Sequence, residues 1–129
     1  MKGYVRKRNY NMNIQIYGTS KCFDTKKAQR YFKERSIKFQ FVDLSRFSLS
    51  KGELASVKKA VGGKLDSLIN EKSKKYDSSF IKYLATEEAK EEKLLENGEL
   101  FKTPIVRNGK KATVGYCPET WKKWEEEEK

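Results

Sequence analysis

Between Ile14 and Leu44 the apolar residues change period from two to three-and-four and back to two, which marks a strand, a helix and a second strand. Ile14-Gln15-Ile16-Tyr17 alternates, and Gly18-Thr19-Ser20-Lys21 makes a turn. From Cys22 to Ser36, the residues Ala28, Tyr31, Phe32 and Arg35 mark one helical face, with Lys26, Lys27, Arg30 and Lys33 largely on others. Ile37 to Leu44 alternates again. Few folds accommodate such a unit. A right-handed crossover makes its two strands parallel neighbours of one sheet, and the helix lies on that sheet.

The remainder of the chain completes the sheet. From Ser50 the period is helical to Val61, stops at Gly62-Gly63, resumes around Leu65–Ile69, and continues through Phe80–Leu84 and a Glu/Lys-rich stretch to Asn97-Gly98. This block, about residues 50–100, adds no strand. Pro104 to Arg107, the turn Asn108-Gly109, and Ala112 to Val114 predict a β-hairpin with a two-residue type I′ turn. A last helix follows, with Pro118 in its first turn and Trp121 and Trp124 on one face. The expected fold is α/β: a mixed four-stranded sheet ordered β-α-β, helical insert, β-β-α. A chain of 129 residues fits one domain. Its body is expected at 13–124, between a disordered basic arm at 1–12 (Lys2, Arg6, Lys7, Arg8) and a frayed acidic tail at 125–129. Met12 is an alternative translation start.

Composition narrows the chemistry. No apolar run approaches the roughly 18 residues of a membrane span, and the charged start has no apolar core behind it, so the expected compartment is the cytoplasm. Lys and Arg number 29 against 18 Asp and Glu, a net charge of +11 that attracts anions without saying which. No helix-turn-helix, zinc finger or interleaved aromatic stack is evident, so direct nucleic-acid binding is not expected. Zero histidines remove Ser-His and Cys-His dyads and imidazole zinc sites. Two cysteines, Cys22 and Cys117, cannot supply a four-thiolate site, and no metal is expected. They also make a poor disulfide framework. Gly62-Gly63 lacks phosphate-loop spacing, and Lys58-Lys59 and Lys74-Lys75 read as solvated helix faces.

Cys22 therefore becomes the main reactive group. It lies where the first strand turns into its helix, and a thiolate there is favoured by the helix dipole and by free amides. Lys21 and Lys26 act in the same direction, whereas Asp24 opposes them. The competing reading is a buried, inert thiol.

IYGTSKCFDTKKAQRYFKERSIKFQFVDL resembles the opening of the arsenate reductase-related family (ArsC/Spx/YffB), and KTPIVRNGKKATVGYCPETW resembles its closing segment. The resemblance covers about residues 12–124. It implies a thioredoxin-like fold with an inserted helical subdomain, and it makes Cys22 the nucleophile that attacks arsenate or a disulfide. No bound cofactor is implied; glutathione or another thiol is the co-substrate, with glutaredoxin or thioredoxin as partners. Thr103 and Pro104 map to the substrate-facing residue and the cis-proline, and Lys21, Thr25 and Lys72 complete the expected substrate site. Thr25 stands where some members have a second cysteine. Arsenate reductases place an arginine before the cis-proline; here Thr103 stands there. Their insert arginine corresponds roughly to Lys72, and a further one to Cys117 or Tyr116. Guanidinium forks grip a tetrahedral oxyanion in a bidentate way, whereas Lys72 and Lys74 offer only point charges, so disulfide or glutathionyl substrates are expected ahead of arsenate. Cys117 is a candidate resolving thiol. The alternative function is an Spx-type thiol-sensing regulator that binds RNA polymerase, although such relatives usually carry Cys-x-x-Cys.

Overall fold

The structure is a computed structural model that describes residues 12–127. The chain runs β1 (Ile14–Gly18), α1 (Phe23–Glu34), β2 (Phe39–Asp43), α2 (Lys51–Ala60), α3 (Lys74–Ser79), α4 (Glu87–Glu96), β3 (Ile105–Asn108), β4 (Lys111–Val114) and α5 (Pro118–Glu127). Short 3₁₀ turns at Leu65–Leu68, Ile81–Tyr83 and Gly98–Leu100 link the insert. The sheet order is β2-β1-β3-β4. β1 and β2 are parallel, with Ile14 opposite Phe39, and the other two pairings are antiparallel. The mixed four-stranded sheet and its order of elements are those expected, and the fold is thioredoxin-like.

Strand alternation sends side chains to two covered faces. Ile14, Ile16 and Val106 pack with Ala28, Tyr31 and Phe32 of α1 and Trp121 and Trp124 of α5. Tyr17 and Ile105 point the other way, into a core with Leu54 and Val57 of α2 and Leu68, Ile81, Leu94 and Leu100 of the insert. The insert is thus the second helical layer rather than an appendage. No helix among the described residues is long and apolar enough to cross a membrane.

Local chemistry sets the element ends. α1 stops in a Schellman motif: Ser36 is left-handed (φ 58°), its N–H donates to the Lys33 carbonyl, and the Ile37 N–H donates to Phe32. That motif delays β2 to Phe39. α2 opens with a capping box in which Ser50 and Glu53 satisfy each other's backbone amides.

Three expectations change. Arg35 does not join the buried face of α1; its guanidinium lies over the Tyr31 ring, 3.7 Å from the centroid. In the hairpin Asn108 pairs with Lys111, so the two turn residues are Gly109 and Lys110, one position later than expected. Only Gly109 has positive φ (62°), so this is not the type I′ turn, which needs positive φ at both centres. Glu125 is not part of a frayed tail. α5 extends to Glu127, and Glu125 accepts a hydrogen bond from the Tyr31 hydroxyl (2.6 Å) and pairs with Arg35 (3.8 Å). The basic arm up to residue 11, and residues 128 and 129, lie outside the described residues.

A polar cluster ties the insert to the sheet. The Tyr17 hydroxyl donates to Glu53 (2.7 Å), and Arg107 of β3 donates to Gln15 (2.9 Å) and to the Tyr17 oxygen (3.2 Å), with Glu53 3.6 Å from its guanidinium. Burial and Glu53, against Arg107, push the Tyr17 pKa up to about 12. Burial also raises Glu53, but bonds from the Ser50 amide and Tyr17 outweigh it and hold the carboxyl below its ordinary value. A depressed carboxyl contributes stability above its unfolded pKa, and that stability is lost as pH falls through the folded value. Glu53→Gln is therefore expected to lose about 1–3 kcal/mol at pH 7. In urea unfolding the gap between variant and wild type should close below roughly pH 4; equal midpoints at pH 7 would refute the assignment.

Candidate functional site

Cys22 is the N-cap of α1, with extended backbone (φ −84°, ψ 118°) and no side-chain capping bond. Its N–H donates to the Thr19 carbonyl (3.2 Å) and its carbonyl accepts from the Lys26 N–H (3.3 Å), so the β1–α1 turn holds the residue at both ends. Its Sγ lies 3.7 Å from the Thr103 carbonyl oxygen. Burial alone raises the thiol pKa. The Thr103 and Thr25 side chains and the Thr25 and Asp24 amides favour the anion, outweigh burial and hold Cys22 below its ordinary value. The first-turn amides that a Ser or Asp cap would occupy are left for sulfur.

Thr25 was expected at the substrate, but it is fully buried and lies behind the sulfur instead. The third helical position points back onto β1, where a Cβ on Gly18 would run into the Thr25 side chain. Only glycine lets helix and strand approach this closely here. The Thr25 hydroxyl has no partner of full hydrogen-bond geometry. Its favourable effect on Cys22 is therefore the pull of a nearby dipole on the anion rather than a formed bond in the thiol.

In front of Cys22 opens a cavity of about 590 Å³, lined among others by Asn70, Glu71, Lys72, Lys102, Thr103 and Gly115. Long-range pairing brings the insert here. Ile69 bridges Phe101, the Asn70 N–H donates to the Leu100 carbonyl (2.7 Å), and the Lys102 N–H donates to Leu68 (2.8 Å). Asn70 Oδ1 then accepts from the Lys72 N–H (3.0 Å), which turns the chain across the opening. The Thr103–Pro104 peptide is cis. Pro104 is buried and its carbonyl accepts from the Gly115 N–H (2.8 Å), which joins β4 to the cavity wall.

Of the residues proposed from sequence, Cys22, Thr103 and Lys72 meet at this opening, with Pro104 behind Thr103. Lys21 is exposed beside Cys22, and neither it nor Lys74 lines the cavity. Cys117 also lies away from the lining. Its Sγ–H donates to the Val114 carbonyl (3.4 Å), the residue packs against the Trp121 cluster, and burial, against a Thr113 hydrogen bond, raises its pKa. Sequence reasoning missed Lys102 and Asn70. The signal for Lys102 was its place directly before Thr103-Pro104, the pair that the family resemblance puts at the substrate. Nothing in the sequence announced that residue 70 meets residue 100.

Comparison with known proteins gives the family and the fold. The model of the ArsC family matches residues 17–124. The chain is 28% identical over 108 residues to the YusI protein of Bacillus subtilis, covering 81% of this chain and 92% of that one. It is 31% identical over 109 residues to the global transcriptional regulator Spx 2 of Oceanobacillus iheyensis, covering 81% and 78%. Among solved structures, an ArsC family related protein from Bacteroides fragilis superposes with a TM-score of 0.77 at 23% identity, covering 88% of this chain and 98% of that one. An arsenate reductase from Vibrio cholerae gives 0.73 at 22% identity, covering 84% and 94%. Those two likenesses establish the fold. The family model spans the end of β1, Cys22, the cis-proline and most of the final helix, and this chain belongs to the ArsC family.

Proposed function

We propose that the protein is a thiol-dependent oxidoreductase whose Cys22 thiolate attacks a disulfide, in the first instance a mixed disulfide between a protein and a small thiol such as glutathione. Cys22 forms a new S–S bond with the small-thiol sulfur, and the protein sulfur leaves as thiolate and takes a proton. A second molecule of the small thiol then attacks the adduct, releases Cys22 and departs as the symmetrical disulfide. In sum one mixed disulfide and one external thiol become a protein thiol and a symmetrical disulfide, so no bound cofactor is needed. Glutaredoxin or thioredoxin fits as an alternative donor, and a reducing cytoplasm suits the exchange.

The reading is carried by the N-cap placement of Cys22 against Thr103 at the mouth of a cavity. Thr103 offers its backbone beside the thiol to an extended substrate. Release by an external thiol is favoured over release by Cys117, whose sulfur is engaged with Val114 and packed near Trp121. Arsenate ranks lower as a substrate, because Thr103 brings no charge and Lys72 and Lys102 are point charges. Near-blank arsenate turnover with glutathione or thioredoxin is the matching expectation.

The reading predicts a specific alkylation profile. The iodoacetamide rate, followed by peptide mass spectrometry, should give Cys22 an apparent pKa below the roughly 8.5 of a free thiol, with Cys117 titrating above it. A Cys22 that reacts only in alkaline solution would remove the proposal. A second reading draws on the 31% identity to a transcriptional regulator: a thiol-sensing protein that binds RNA polymerase. Thr25, in place of a second cysteine, denies it the Cys-x-x-Cys switch. Retention on immobilised polymerase without disulfide exchange would select this second reading.

A further inference from the structure

The insert between Lys72 and Tyr83 combines exposed lysines with exposed aromatic rings. Its lysines 72, 74, 75 and 82 are exposed, Asp77 is the sole acid of the stretch, and none of these lysines joins an ion pair among the described residues. Two large rings stand in the same stretch, Phe80 at 63% and Tyr83 at 73% exposure, with Lys82 Nζ 5.4 Å from the Tyr83 centroid.

Phe80 is also held in the left-handed region (φ 57°, ψ 23°) at the end of α3. Gly or Asn fills that position at little strain, whereas a bulky side chain there is unfavourable. Ile81, fully buried, anchors the turn from below, while the neighbouring Phe80 ring stands largely in solvent. Strain retained to display an aromatic ring is a mark of function rather than of folding. Lys72 joins this stretch to the Cys22 cavity, and Phe23, 76% exposed, adjoins Cys22 itself.

We propose that Lys72, Lys75, Phe80, Lys82 and Tyr83 form a docking surface for an acidic polypeptide that presents its mixed disulfide to Cys22. The proposal rests on the thiol-exchange reading and names its substrate class. Unpaired lysines around exposed rings complement carboxylates that flank an apolar side chain. A polypeptide is favoured over a nucleic acid because Lys72, at the start of the stretch, lines a cavity whose reactive group acts on sulfur. The exchange is the one balanced above, with the polypeptide sulfur leaving as thiolate.

The test separates docking from chemistry. An acidic, fluorescein-labelled peptide with Ser in place of its cysteine is titrated by anisotropy into the full chain, and the glutathionylated cysteine form is used for turnover. Phe80→Gly suits the left-handed position and should keep or raise the melting temperature, yet weaken peptide binding about tenfold. Lys75→Glu with Lys82→Glu should raise the peptide KM about tenfold or more, with the rate on a small glutathione mixed disulfide unchanged. Wild-type binding should also weaken from 50 mM to 500 mM salt. Unaltered peptide affinity in Phe80→Gly and in the charge reversals overturns the proposal. So does tighter binding of a labelled oligothymidylate, or light scattering that shows a dimer dissolved by the same reversals, with the acidic α4 of a second copy as occupant. Peptide binding without turnover of either substrate would retain the docking surface and reject the thiol-exchange reading.

Discussion

Cys22→Ser is expected to reduce disulfide exchange to the uncatalysed background, a loss on the order of a thousandfold or more. A serine hydroxyl keeps the shape and can serve as an ordinary N-cap, so folding should be preserved or improved. What disappears is the ionisable sulfur that the Asp24 and Thr25 amides and the Thr103 and Thr25 side chains stabilise as an anion. No other nucleophile lines the cavity at a helix start. Cys117→Ser serves as the control. Its sulfur is directed to Val114 rather than into the cavity, so turnover with external thiol should stay within about threefold of wild type, well under the tenfold that each 1.4 kcal/mol of barrier represents. Coupled turnover of a glutathione mixed disulfide measures both. If the two variants fail equally, release passes through an internal disulfide, and if Cys22→Ser retains activity, the nucleophile is elsewhere.

The largest expected effect on stability belongs to Trp121. On α5 it is fully buried against α1 and β4, with its ring centroid 5.2 Å from that of Tyr31, 5.1 Å from Phe32 and 5.5 Å from Tyr116. Its Nε1 donates to the Thr113 hydroxyl at 2.8 Å. Trp121→Ala removes the ring, the edge-to-face contacts and that bond, for a loss of about 3–5 kcal/mol. Against a total of roughly 5–15 kcal/mol for a domain, this brings the protein near unfolding. Trp121→Phe keeps most of the apolar volume and strands the Thr113 hydroxyl, for roughly 1–3 kcal/mol. Urea unfolding followed by far-ultraviolet circular dichroism gives both values. A loss below about 1 kcal/mol in the Ala variant would mean that α5 is only loosely attached to the sheet.

The strand–helix–strand opening was legible because periodicity records which side chains must leave water: Ala28, Tyr31 and Phe32 are the buried face of α1 as expected. Cys22 was legible because the turn before a helix is local. The hairpin was legible in kind but shifted by one residue, since Asn108 was used in pairing with Lys111 and β1 rather than in the turn. Glu125 was misread because a run of four glutamates resembles a frayed tail until Tyr31 and Arg35 are seen beneath it.

The chain order of strands and helices, the apolar faces they bury and the position of the sulfur at a helix start were all settled by neighbours a few residues apart, and these are the interactions that periodicity and capping encode. The depth of Thr25 behind the sulfur, the arrival of residues 69–72 beside residues 100–103, and the separation of Cys117 from the cavity depend on contacts between distant segments. Such contacts are chosen by how whole layers pack, because side-chain orientation relative to another element depends on its register and angle. No local pattern carries that information.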